Sequence, residues 1–181
     1  MPTTARLLRY KPVMQAFFVG ALTLLGIRAW GVNVPWSLSW NQSASIPEGL
    51  YLVERVHSLP PVGSYVCFEY RAPEWAVPRH YFYDGYRLCK HLAGLPGQAV
   101  LDVKGQYFVD DGTQLVLVGA TQPADSAGRP LPQHKLPLGR IPAGKVVLAA
   151  PAHTNSMDSR YLGPISETRI RWRVYPLITY R

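Results

Sequence analysis

The sequence predicts a mainly β protein, a folded sheet or barrel preceded by one N-terminal transmembrane helix. Three observations carry that expectation. An uncharged run, residues 12–27, follows the basic residues Arg6, Arg9 and Lys11. Beyond Trp40, short β-like runs recur between turn signals, with no long helical period and no internal repeat. The 17 prolines and 15 glycines in 181 residues punctuate the chain too often for long helices, while a hydrophobic content of 48% is too high for a disordered one.

The helix comes first in the chain. A span needs roughly 20 residues to cross the hydrocarbon core. Residues 13–32 supply them if Arg28 lies near the far end and snorkels outward. Trp30, Trp36 and Trp40 follow as an interfacial aromatic belt. A cleaved secretory signal shares the basic start and apolar centre, but no small-x-small cleavage site follows, and Arg28 before Ala29-Trp30 is a poor context for one. The expected division is a cytoplasmic tail at 1–11, a transmembrane anchor at 12–34 and an exported domain at 35–181. No Lys or Arg occurs between Arg28 and Arg55, so the positive-inside rule leaves the N-terminus in the cytoplasm. In a Gram-negative cell the domain then lies in the periplasm, held at the inner membrane, where disulfides form.

The formal net charge of +8 does not indicate nucleic acid, because the basic residues are scattered. Arg169, Arg171 and Arg173 alternate as one polar face of a strand does. Anionic lipid headgroups are the better partner for such charge. Cys67 and Cys89 are the two cysteines, and no CxxC or Cys/His spacing marks a metal or a cofactor.

Strands are expected at 50–56, 64–70, 87–92, 145–149 and 170–175. A hairpin is expected where 106–109 and 114–118 flank Asp110-Asp111-Gly112-Thr113. The stretches 73–78 and 123–137 read as loops; the second is either a substrate-side loop or a connector. Cys67 and Cys89 fall opposite the apolar rows of their strands, which allows a cross-strand bond and equally two free thiols.

Three places have the residue types for chemistry. In Arg87-Leu88-Cys89-Lys90-His91-Leu92, alternation puts Lys90 on the apolar face with Leu88 and Leu92. Burial disfavours an ammonium ion, and a lysine made neutral accepts a proton from a hydroxyl. Pattern alone is met as well by an edge lysine whose stem packs and whose head reaches water. In Asn41-Gln42-Ser43-Ala44-Ser45-Ile46-Pro47-Glu48-Gly49-Leu50-Tyr51, Pro47 and Gly49 fix a turn that presents Ser45, although a polar linker after a span has the same composition. In Asn155-Ser156-Met157-Asp158-Ser159-Arg160, Asp158 and Arg160 are placed to form a charge-assisted pair.

Taken together and in this order, the three clusters resemble the type I signal peptidase family. Ser45-Ile46-Pro47 after an anchor resembles its nucleophile box, and Lys90 ahead of Gly94-Leu95-Pro96-Gly97 resembles its lysine box. Asn155-Ser156-Met157-Asp158-Ser159-Arg160 resembles its C-terminal box, though Ala150-Pro151-Ala152-His153-Thr154 replaces the usual Gly-Asp-Asn before it. Ser45-Ile46-Pro47-Glu48-Gly49-Leu50-Tyr51 and the Gly128-Arg129-Pro130-Leu131-Pro132 stretch are similar to the TraF-type conjugal-transfer peptidases.

The resemblance implies a signal-peptidase-like fold and a serine endopeptidase without metal or cofactor. Ser45 is then the nucleophile and Lys90 the general base, with Ser43 and the Ser45 N–H at the oxyanion. Ser156 orients Lys90, Asp158 tunes it, and Arg160 helps hold the loop. The implied substrate is a pilin or other exported precursor of a conjugative transfer apparatus, with cyclisation in some members. A housekeeping leader peptidase and an inactive anchored scaffold are the competing readings. A Ser-His-Asp triad would draw its base from His57, His80, His91, His134 or His153, but His91 faces away from Lys90 on a regular strand.

Overall fold

A computed structural model describes residues 11–29, 35–133 and 135–180. The chain divides into two compact units, Met1–Pro35 and Trp36–Arg181. The described part of the first is one helix, α1 (Lys11–Ala29), on which Met14, Phe18, Val19, Leu22 and Leu25 are exposed. Among the described residues, no helix is long and apolar enough to cross a membrane. The expected span at 12–34 is therefore not supported. Its uncharged stretch, 12–27, rises only about 24 Å at 1.5 Å per residue, short of a hydrocarbon core of roughly 30 Å. Residues 30–34 lie outside the described residues.

The second unit is mainly β. Its strands are β1 (Trp36–Asn41), β2 (Gly49–Arg55), β3 (Tyr65–Glu69), β4 (Arg87–Gly94), β5 (Ala99–Val103), β6 (Gln106–Asp110), β7 (Leu115–Gly119), β8 (Gly139–Arg140), β9 (Lys145–Ala149), β10 (Ile165–Ser166) and β11 (Ile170–Thr179), with a short helix α2 (Ser159–Leu162) after β9. They form a seven-stranded sheet in the order β1-β2-β11-β3-β4-β9-β10 and a four-stranded sheet in the order β7-β6-β5-β8. Every pairing is antiparallel.

The core lies on both faces of the large sheet. Leu88 and Leu92 of β4 join Val66, Phe68, Val146, Leu148 and Ile165 on one side. Val147 and Ala149 of β9 turn the other way, onto Val100, Tyr107, Val109 and Val118 of the small sheet. Alternation thus uses both faces of β9, which is why its run Lys145-Val146-Val147-Leu148-Ala149 is apolar throughout. A third cluster joins Ile46, Tyr51, Val53, Cys67 and Val174. The hairpin from β6 to β7 is closed by Asp111, whose Oδ1 accepts from the backbone N–H of Thr113 and Gln114, both at 2.8 Å.

Four strands and α2 were not expected from the sequence. β1 alternates, Trp-Ser-Leu-Ser-Trp-Asn, but its apolar set Trp36, Leu38 and Trp40 is exposed, and that alternation reads equally well as an aromatic belt. β8 and β10 have two residues each, too few for a periodicity. The turn into β2 needs glycine. Gly49 has φ +144°, and a Cβ there would sit 2.0 Å from the carbonyl oxygen of Ile178 on β11.

Cys67 and Cys89 are directly opposed in the β3–β4 register and are bonded to each other. Cys67 is fully buried, because β3 is interior to the sheet and covered on both faces. The bond closes a loop with a sequence separation of 22 residues. Replacing both by serine, Cys67→Ser with Cys89→Ser, is expected to lower unfolding stability by about 3 kcal/mol on the loop-entropy scale. Urea titration of the double variant against the oxidised protein checks this. A loss near zero would mean the β3–β4 pair holds without the bond.

Candidate active site

The segment between β1 and β2 carries Ser45, and one asparagine shapes it. Asn41 Nδ2 donates to the carbonyl oxygens of Ser43 (2.8 Å), Ile46 (3.1 Å) and Pro47 (3.0 Å). Its Oδ1 accepts from the N–H of Ser43 (3.1 Å) and from Ser43 Oγ (2.8 Å). Beneath, Ile46 is buried in the third core cluster, and Tyr51 Oη donates to the Pro47 carbonyl at 2.6 Å. Burial, reinforced by Tyr65, pushes the Tyr51 phenol up to about 12, so it stays a donor. Ser45 therefore sits on a turn held from within and below.

Across from it, strand β4 supplies Lys90. Leu88, Lys90 and Leu92 are buried while Arg87, Cys89 and His91 are more open, as strand alternation requires. Lys90 is only 2% exposed, and its Nζ donates to Ser45 Oγ at 2.5 Å. Burial lowers the Lys90 pKa from 10.5 to about 8; the Asp158 charge pulls it up and the Arg160 charge pushes it down. Ser156 Oγ lies 3.4 Å from Ser45 Oγ and is itself buried.

Asp158 and Arg160 form a buried ion pair behind these groups. Arg160 Nη2 donates to Asp158 Oδ2 at 2.7 Å and Nε to Oδ1 at 2.9 Å, a two-pronged contact. Asp158 also accepts from the N–H of Arg160 (3.1 Å) and of Ala150 (3.2 Å), capping α2 as it does so. Arg160 reaches on to the carbonyls of Ala120 (2.8 Å) and His153 (3.1 Å). Ser159 Oγ accepts from Leu148 N–H at 2.9 Å, fixing the loop to β9.

The structure thus brings Ser45, Lys90 and Ser156 together, with Asp158 and Arg160 close behind. Ser43 lines the same cleft, but its hydroxyl is turned to Asn41 rather than toward Ser45. Cys67 and Cys89 form the disulfide described above. His153 alone of the described histidines lines the cleft, and His91 packs against the Tyr65 ring at 4.4 Å on the other face of β4. His134 lies outside the described residues. Among the described residues, no group of three His, Cys, Asp or Glu is placed to hold a metal ion. The roles of Asn41, Tyr51 and Ser159 were missed from sequence, since each acts through backbone groups that only the folded turn brings near.

The cleft has a volume of about 650 Å³. Its walls include Trp40 and Asn41 on one side and Tyr81, Phe82, Tyr86 and Leu131 elsewhere. Such a place, lined by apolar rings around a buried amine and two hydroxyls, is suited to acyl transfer on a peptide.

The family model described as "Signal peptidase, peptidase S26" matches residues 10–175. A plasmid transfer protein TraF from Escherichia coli is 32% identical over 151 residues, covering 77% of this chain and 82% of the relative. A second plasmid transfer protein TraF from Escherichia coli is 25% identical over 154 residues, covering 82% and 80% respectively.

Removing the guanidinium while leaving the carboxylate isolates the ion pair. Arg160→Ala strands a fully buried Asp158 and is expected to lower stability by about 3–5 kcal/mol in urea unfolding. Arg160→Lys restores charge but not the planar fork, and should recover only part of the loss.

Proposed function

Because the chain belongs to the signal peptidase family, peptidase S26, we propose that it is a serine endopeptidase with a Ser45–Lys90 dyad that matures an exported precursor in plasmid transfer. The observation that carries this reading is a buried amine 2.5 Å from a serine hydroxyl, in a cleft, with its pKa brought down to about 8. Neutral Lys90 takes the proton of Ser45 Oγ, and the oxygen attacks the scissile carbonyl to form an acyl-enzyme. The Lys90 ammonium then gives that proton to the leaving amine. Ser45 N–H, with the Ser43 hydroxyl once rotated off Asn41, stabilises the oxyanion. Ser156 steers the Lys90–Ser45 contact, while Asp158 with Arg160 holds the loop that carries it.

The precursor is a conjugative pilin or another exported component of the transfer apparatus. The plasmid-transfer names of both relatives favour this over a housekeeping leader peptidase. Water resolving the acyl-enzyme gives a linear product; an amine at the other end of the same peptide gives a ring. The domain works in the periplasm, tethered at the inner membrane by the N-terminal segment, and the basic residues Arg6, Arg9 and Lys11 support that orientation. Co-expression with candidate pilin precursors, read by product mass, tests the whole proposal: a cyclic product is lighter than the linear one by one water.

The dyad has a pH signature. Only the neutral amine acts as base, so Ser45 acylation should rise with pH, with a midpoint near 8, and plateau above it. Stability has the same sign. The unfolded chain keeps the Lys90 proton up to 10.5 and the folded chain only to about 8, so stability rises with pH between these values. Lys90→Ala should slow acylation by roughly 10²–10⁴-fold, while His153→Ala leaves it in place. The check is the rate at which a small fluorophosphonate labels Ser45 across pH. A dead His153 variant beside an active Lys90 variant would reverse the assignment.

A further inference from the structure

The segment from Ala120 to Gln133 is not used by the chemistry above, yet it is tied down at both ends. At its base, Arg160 Nη1 donates to the Ala120 carbonyl at 2.8 Å, and Gln122 N–H donates to Tyr161 Oη at 2.7 Å. At its tip, Asp125 gathers contacts from two loops. Its Oδ1 accepts from the N–H of Ala127 and of Arg129, both at 2.9 Å. Its Oδ2 accepts from Arg129 Nε at 2.7 Å and from the hydroxyl of Tyr81, which belongs to the separate 73–86 loop. Arg79, from that same loop, lies 3.8 Å from Asp125 Oδ2 and donates to the Pro130 carbonyl at 2.7 Å. The Arg129 guanidinium stacks 5.2 Å from the Tyr81 ring.

Between the two ties lies a wall of the cleft. Asp125, Ser126 and Leu131 line it from one segment, and Tyr81, Phe82 and Tyr86 from the other. Neither segment contains a ladder strand, so their mutual position depends on side-chain contacts. The Asp125 side chain is 8% exposed, and the hydrogen bond from Tyr81, followed by those from Arg129, holds its carboxyl well below the usual carboxylate range. The tie is therefore charge-assisted at the pH where Lys90 becomes neutral.

We propose that Asp125 is a positioning residue for substrate, clasping the 120–133 segment to Tyr81 so that the two form one wall against which an extended, apolar peptide lies. The inference rests on Ser45 acylation as proposed above, and it separates recognition from chemistry. A small acylating reagent needs Ser45 and Lys90; an extended peptide also needs the wall.

The experiment uses the full chain with two reagents. A small fluorophosphonate reports Ser45 labelling, and a peptide aldehyde of alternating leucine and alanine protects against it. Asp125→Asn, which keeps shape and removes charge, should leave the small-reagent rate and its pH midpoint within about twofold while weakening aldehyde protection by about tenfold, the pattern of lost uniform binding. Tyr81→Phe, which removes only the hydroxyl, should do the same. Unchanged protection in both variants overturns the proposal, as does an equal fall in labelling and protection, which would mark a merely structural residue. Absence of protection in the unaltered chain overturns the apolar-peptide wall. Absence of labelling there overturns the Ser45–Lys90 reading itself.

Discussion

Keeping one amine out of water beside a serine is the constraint around which the β unit, Trp36–Arg181, is organised. Lys90 lies in an interior strand, flanked by Leu88 and Leu92 on its own face and paired to Val66 across the ladder. A free lysine would extend toward solvent, since its ammonium loses several kcal/mol of hydration when buried. Here the strand sets the stem, and the Ser45 turn closes over the head. That turn must arrive at a fixed height above the sheet, which explains the density of contacts on it: Asn41 from within, Tyr51 and Ile46 from below, and Gly49 where a side chain would strike β11.

The buried ion pair behind the lysine follows from the same constraint. Asp158 alone would draw Lys90 upward and keep it charged; Arg160 alone would depress it and strand a second cation. Together, joined through two parallel hydrogen bonds, their effects on Lys90 oppose each other and desolvation is left as the largest cause. The pair also has a mechanical role. Arg160 binds carbonyls from β7's end and from the loop after β9, so one side chain links the small sheet to the loop bearing Ser156. Gly119 has φ +109°, and a side chain there would press on Arg160 Nη1 at 3.2 Å.

Much of this was legible in the sequence, and the boundary has physical causes. Strand alternation alone put Lys90 among leucines, and the β6–β7 hairpin followed from Asp111-Gly112, because a carboxylate that accepts from the backbone ahead of it makes a turn locally. Each of the three motif clusters supplies lining to one cleft, Ser43 and Ser45 from the first, Lys90 from the second, and Asn155, Ser156 and Met157 from the third, while Asp158 and Arg160 lie outside that lining. What stayed hidden was non-local or too short. β8 and β10 have no period to detect, and β1 carries its apolar residues on the open side. Asn41 is an unremarkable polar residue until the turn folds around its amide. For the helix at the start, apolar composition was clear, but among the described residues it is not long and apolar enough to cross a membrane, and residues 30–34 of the expected span lie outside them.

Packing alone does not call for a lysine at position 90. A methionine fills the same volume without the desolvation of a cation, and buried ionic groups replaced by apolar ones of similar size often leave a protein more stable. The fold instead accepts an amine whose pKa burial lowers to about 8, and Asn41, Tyr51 and Ser156 surround the hydroxyl presented to it. Stability given up at one buried contact, with surrounding residues arranged to keep that contact in register, is the pattern that supports the proposed Ser45–Lys90 chemistry. The same argument extends to the proposal for Asp125: a carboxylate with an arginine and a tyrosine on one oxygen is more than a connector needs, and with the Arg79–Pro130 contact it joins the two segments that line one wall of the cleft.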